Sequence, residues 1–175
     1  MLCFRADAVA SKNVFVDDSA VLQHNQGQPS TEVKVSKRDL GFQRLLDESA
    51  IRRLLNLYSR AIDSKDRKLL ASLFTRDAVV EYGVYNGPVA GFLDYVAGGE
   101  HPSLEWMHHL GTQIIDLDGD TASAETYCLA FSREASGGSA APETVHRLRY
   151  LDRLECHAGA WLIAHRRVVP SPAPA

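Results

Sequence analysis

The sequence predicts an α+β domain in which a layer of helices packs on a largely antiparallel sheet, and three observations carry that reading. Ile51, Leu54, Leu55, Tyr58 and Ile62 recur at i, i+3, i+4, i+7 and i+11, the spacing of a helix with one buried stripe. Beyond about residue 106 the pattern changes to long strand-like runs: His108 to Asp116, Thr121 to Arg133, Thr144 to Cys156 and Ala160 to Val169. Short turns join two pairs of them, Asp118-Gly119-Asp120 and His157-Ala158-Gly159. Helices followed by strands in tight hairpins is the order of an α+β fold.

Residues 1 to 36 hold no sustained period, and Gln23 to Ser30 is polar and rich in breakers, so a poorly ordered extension is expected there. The working domain is expected over 37–169. Ser36-Lys37-Arg38-Asp39 opens it with the spacing of a capping box, an aspartate standing for the usual glutamate. Asp63-Ser64-Lys65-Asp66 ends the long helix and can cap a short second one that carries Leu69, Leu70, Leu73 and Phe74. Ala78 to Tyr82 reads as a strand and Gly83 to Gly87 as a turn-rich loop. Pro88 opens a third helix with Val89, Phe92, Leu93 and Val96 inward, ended by Gly98-Gly99. The segment 170–175 is a Pro-rich tail whose prolines lack the amide donors a sheet needs.

At 175 residues, with 45% apolar and 8% aromatic residues, the chain can bury a core as one domain. A formal charge of -3 argues against binding nucleic acid through phosphate neutralisation. The late arginines, Arg147, Arg149, Arg153, Arg166 and Arg167, are interrupted by Asp152 and Glu155 and read as a charged strand face. Cys3, Cys128 and Cys156 have no metal-ligand spacing and leave an odd one over in any disulfide scheme, so reduced thiols in the cytoplasm are expected. The first residues take up charge too early for a signal peptide, and no run approaches a membrane span.

The residues that can carry chemistry are few. Tyr58 is a polar-tipped residue on an aliphatic stripe; its hydroxyl either bonds a nearby carbonyl in the core or donates to a substrate carbonyl. Asp63, at the helix end, either caps the next helix or accepts a hydrogen bond from an imidazole and fixes its tautomer. His108 and His109 point to opposite faces of a strand, so one can face a pocket and the other cannot; His109 is the candidate partner for Asp63. Glu125 and Tyr127 share a strand face with Leu129 and Phe131, so the face is either a pocket wall or one on which Glu125 is exposed. Trp106 and Phe92 complete the set of candidate substrate contacts. Of Arg166 and Arg167, which also alternate, one can polarise a substrate oxygen and the other is solvated. No metal or cofactor is expected.

Taken together these segments resemble the SnoaL-like branch of the NTF2-like superfamily over about residues 40 to 169. The resemblance rests on Leu57-Tyr58 to Asp63, Leu73-Phe74-Thr75-Arg76-Asp77-Ala78, and His109-Leu110-Gly111-Thr112. It is completed by Tyr150-Leu151-Asp152-Arg153 with Gly159-Ala160-Trp161-Leu162-Ile163 and Arg166. It implies a cone-shaped α+β barrel, a curved sheet wrapped by helices around one cavity, in a homo-oligomer, dimer or trimer. The lineage it is most similar to includes bile-acid dehydratase, scytalone dehydratase and hexachlorocyclohexane dehydrochlorinase, lyases that need no cofactor. The resemblance places Asp63 and His109 on their acid/base dyad, Tyr58 on a tyrosine beside it and Arg166 on an arginine of the last strand, and matches Glu125 only loosely. The function it implies is a dehydratase-like lyase acting on a small hydrophobic carbonyl compound such as a steroid, polyketide or aromatic metabolite. An isomerase or polyketide cyclase on the same dyad, or a binding domain without catalysis, are the alternatives.

Overall fold

The computed structural model describes residues 37–98, 104–134 and 142–171. The extension expected over 1–36, its capping serine, residues 99–103 and 135–141, and the tail beyond Ser171 lie outside the described residues. The chain runs α1 (Lys37–Asp63), α2 (Arg67–Ala71), β1 (Phe74–Glu81), β2 (Asn86–Pro88), α3 (Val89–Gly98), β3 (Leu104–Asp118), β4 (Thr121–Glu134), β5 (Thr144–His157) and β6 (Ala160–Pro170). This is the α+β architecture the sequence predicts, with helices first and strands after.

The six strands form one open sheet in the order β2-β1-β6-β5-β4-β3. β3 to β6 form three antiparallel hairpin pairings, and β1 joins the outer side of β6 in parallel. Gly119, at φ 59, holds the first central position of the β3–β4 turn, where a type II′ geometry calls for glycine. Ala158 and Gly159, at φ 46 and 88, both take positive φ between β5 and β6, as a type I′ turn requires.

The buried stripe of α1 is Ile51, Leu54, Leu55, Tyr58 and Ala61, and it lies over the inner face of the sheet. The same helix is pinned near its start by a buried hydrogen bond from Trp161 Nε1 to Asp47 Oδ1 at 3.0 Å. On the sheet side, the inward residues of β4 are uniformly small: Ala122, Ala124, Thr126, Cys128, Ala130 and Ser132. Small side chains on a central strand let the helix approach at one end and leave space at the other.

Two local expectations are corrected. The second helix stops at Ala71, so Leu73 lies in the turn and Phe74 begins β1, four residues before the expected strand start. The reason is tertiary: the Ile163 amide of β6 donates to the Leu73 carbonyl at 2.9 Å, and Phe74 pairs with Ile163. The loop expected at 83–87 runs into the short edge strand β2, which pairs Asn86 to Pro88 with Val79 to Glu81, so Pro88 ends a strand and α3 begins at Val89. Pro170 closes β6 opposite Leu148, a strand-end position where its missing amide hydrogen costs little.

Candidate functional site

α1 ends in a Schellman motif. Asp66 N–H donates to the Ala61 carbonyl at 2.9 Å, Lys65 N–H to the Ile62 carbonyl at 3.0 Å, and Lys65 takes the left-handed φ of 55 that the motif needs. This fixes where the last helical residue, Asp63, points. Asp66, not Asp63, caps α2, through a 2.9 Å bond from Leu69 N–H. The Asp63 carboxylate is thereby left for another partner, the edge strand β3 beside it.

That partner is His108. Its ring Nδ1 lies 2.6 Å from Asp63 Oδ1, and its backbone N–H donates to Asp63 Oδ2 at 3.0 Å. The second bond is available because β3 is an edge strand, whose outward amides have no neighbouring strand. Asp63 therefore holds the main chain and the ring of one residue together. With the carboxylate ionised, Nδ1 carries the hydrogen and Nε2 keeps its lone pair.

The expected partner, His109, is a correction. It faces the opposite side of the sheet, paired in register with Leu129 in an outer row, and is exposed. The cause is a bulge between Leu110 and Gln113, which reverses the alternation of β3. Below the bulge Ile115 is inward with the odd residues; above it Leu104, Trp106, His108 and Leu110 are inward with the even ones.

His108 lines a cavity of about 480 Å³ enclosed between α1, α3 and the inner faces of β3, β4 and β5, within the usual size of a small-molecule site. Its walls are mostly apolar and aromatic: Tyr58, Phe92, Trp106, Leu148 and Tyr150 among them. Trp106 stacks on the His108 ring at 5.9 Å between centroids, and Phe92 stacks on Tyr82 at 4.6 Å. Tyr58, Trp106 and Phe92 all border the cavity.

At the deep end Tyr58 and Tyr82 share a hydroxyl–hydroxyl hydrogen bond. Tyr82 carries no mark in the sequence that separates it from an ordinary strand tyrosine. Burial pushes both phenols above their ordinary range, Tyr82 and neighbouring Tyr150 well above it, while the Arg166 cation pulls the other way. The hydroxyls are accordingly neutral donors at working pH.

Arg166 does not reach the cavity. It is fully buried beneath the tyrosines, its guanidinium carbon 3.8 Å from the Tyr58 ring centre and 4.5 Å from that of Tyr150. Two bonds of 2.7 Å join it to Asp152, its partner across the β5–β6 pairing. Burial works against its charge, and the Asp152 carboxylate outweighs burial, so the guanidinium is held well above its ordinary range. Arg167 faces the outer side, in a groove with Glu81, Arg153 and His165.

Glu125 and Tyr127 are also corrected. Both face away from the cavity: Glu125 pairs with Arg149 at 2.9 Å, and Tyr127 is exposed beside the same arginine. The large residues that share their row, Leu129 and Phe131, are outward too. The inward row is the small one, because it is the floor of the hollow.

A family model described as a SnoaL-like domain matches residues 43–167 of the chain. Among curated proteins none matches the sequence. Solved structures share the fold at low identity. A hexachlorocyclohexane dehydrochlorinase, LinA-type3, from Novosphingobium barchaimii superposes with a TM-score of 0.66 at 18% identity, over 75% of this chain and 91% of that one. ActVI-ORFA from Streptomyces coelicolor gives 0.59 at 18%, over 71% and 96%. A protein of unknown function from Mycobacterium tuberculosis gives 0.66 at 20%, over 76% of each chain.

Proposed function

Because the chain belongs to the SnoaL-like domain family, whose model spans the whole of the site just described, we propose that it is a dehydratase-like lyase that needs no cofactor. Its substrate is a small hydrophobic carbonyl compound. The observation that carries this reading is the His108 ring, bound to Asp63 through Nδ1 at 2.6 Å while it lines an aromatic cavity. In that arrangement Nε2 is the base. It takes a proton from the carbon next to the carbonyl, Asp63 stabilises the imidazolium through its bond to Nδ1–H, and the leaving group departs from the neighbouring carbon.

Charge builds on the carbonyl oxygen as the proton leaves. Of the Tyr58 and Tyr82 hydroxyls, neutral and held in an apolar surround, one donates to the other and the second has its hydrogen left to donate to that oxygen. Arg166 acts behind them as a fixed positive charge that favours negative charge at the phenols. Loss of hydrogen together with a leaving group, there chloride, is also what the name of the dehydrochlorinase that shares the fold describes.

A long-range proton–nitrogen NMR spectrum tests the base directly. His108 is expected to carry its hydrogen on Nδ1, with a bare Nε2 whose signal moves when a hydrophobic enone enters. In Asp63→Asn the carboxamide accepts only one of the two hydrogens that the carboxylate takes, and the tautomer is expected to change. A ring protonated on Nε2 and indifferent to ligand would favour a binding domain without catalysis.

The outer face of the sheet supports assembly into a homo-oligomer, dimer or trimer. Met107, Ile114, Tyr127, Leu129 and Val145 all stand exposed on it, and exposed apolar side chains gathered on one face are what an interaction surface presents. Sedimentation as a monomer at micromolar concentration would remove that part of the reading. Among the described residues no helix is long and apolar enough to cross a membrane. Cys128 and Cys156 are thiols, which supports a reducing compartment such as the cytoplasm, checked by fractionating the cells that make the protein.

A further inference from the structure

The lyase reading uses the deep part of the cavity and leaves its mouth without a role. Lys65 borders that cavity; among the described residues that line it Lys65 is the only lysine or arginine, and none is an aspartate or glutamate. Its place follows from the course of α1. Tyr58, Ile62 and Lys65 stand at i, i+4 and i+7 and all border the same space. Along this row the tyrosine is buried, the isoleucine half-buried and the lysine exposed, so the row runs from the deep end out to the mouth. Seven residues at the helical rise set its two ends about 10 Å apart along the axis.

The backbone at Lys65 supplies a second, independent observation. This is the left-handed residue of the Schellman motif, at φ 55, where glycine is the usual choice and asparagine the next. A lysine there carries the Cβ crowding that glycine avoids. Ala158, the other described non-glycine residue at positive φ, lies in the β5–β6 turn and shows that the conformation alone marks nothing. At Lys65 it coincides with the one ammonium on the cavity, and strained backbone gathers where a ligand is held.

We propose that Lys65 is a specificity-determining residue, selecting guests that carry an ionised carboxylate at the end remote from their carbonyl. The proposal rests on the lyase reading for the depth at which that carbonyl sits. A carboxylate keeps its water at the mouth and loses it in the apolar interior, where no hydration replaces it. The guest is therefore oriented, with its acid outward against the ammonium and its carbonyl inward at the tyrosine pair. The same charge turns away an amine of equal shape, so it discriminates by repulsion as well as by attraction.

The probes are 6-(2-carboxyethyl)-1-tetralone and its primary amide, which differ only in the charge at the end far from the ketone. Calorimetry gives both affinities, and the readout is the acid-to-amide ratio. In about 20 mM salt, where charge reaches far, the ratio is expected to fall about three- to fivefold from the wild type to Lys65→Gly, the upper part of what an exposed ion pair supplies. Lys65→Glu is expected to lower it further, and the differences are expected to close at about 0.5 M salt. His108→Gln is expected to keep the wild-type ratio, although it removes the proposed base. Thermal melts complete the test: Lys65→Gly is expected to melt no lower than the wild type, because glycine takes the left-handed conformation freely. A ratio within about twofold of the wild type's in both Lys65 variants overturns the proposal, as does a wild type that binds neither probe. A Lys65→Gly chain that melts clearly below the wild type overturns it too, since the lysine would then be serving the fold. Ratios that behave as expected while no elimination is ever seen would sink the lyase reading and leave the choice of acids standing.

Discussion

Asp152→Ala is expected to lose about 3 to 5 kcal/mol of stability, the cost of leaving a buried charge without its partner. Asp152 and Arg166 are both without solvent contact at their side chains, and two bonds of 2.7 Å are what holds the guanidinium charge there. Remove the carboxylate, and a cation remains enclosed by Tyr58, Tyr150 and the sheet. A domain has about 5 to 15 kcal/mol in total, so the variant stands near the edge of folding. The double change Asp152→Leu with Arg166→Met is expected to be more stable than Asp152→Ala, because it removes both charges together. Urea denaturation compares the three chains, and an Asp152→Ala midpoint close to that of the wild type would show that the pair is not holding the core.

The second large effect falls on activity. His108→Gln is expected to lower kcat/KM for elimination from a hydrophobic β-hydroxy ketone by about a hundred- to ten-thousand-fold, the usual contribution of a positioned general base. The melting temperature is expected to move little, since the ring sits at a cavity wall. Asp63→Asn is expected to show a smaller loss of kcat together with some loss of stability, because Asp63 also accepts the His108 backbone amide at 3.0 Å. His109→Gln is the control, as that side chain points away from the cavity, and it is expected to change neither quantity. The appearance of enone absorbance measures the rate. Equal losses in His108→Gln and His109→Gln would remove His108 from the base role.

The frame of this fold is legible in the sequence because it is written in periods. The stripe Ile51, Leu54, Leu55 and Tyr58 and the turns at Gly119 and Gly159 follow from local rules, and the structure has them where those rules put them, with Ile62, the last of the stripe, only partly buried. The facing of the site residues depended on parity, and parity is what one extra residue undoes. Counting back from buried Ile115 makes His109 inward; the bulge at Leu110 to Gln113 makes it His108. The one local sign of that bulge is Gly111, an isolated glycine in the interior of a strand. The placement of Glu125 and Tyr127 failed for another reason. Leu129 and Phe131, large and apolar, suggested that their face was the core, whereas a strand that borders a hollow turns its small residues inward. Tyr82 carried no signal at all, since its significance comes from its partner Tyr58 on another element.

The row of small residues on β4 also says how a protein of this shape can change over time. The strand is hydrogen-bonded on both sides, so its backbone yields little when a side chain on it grows. Each methyl added at Ala130, which lines the hollow, is then subtracted from it, while α1 is also held at a second point by the bond from Trp161 to Asp47. A lineage built on this plan can drift from one guest to another by single steps along one strand, while the scaffold it inherits stays as it was.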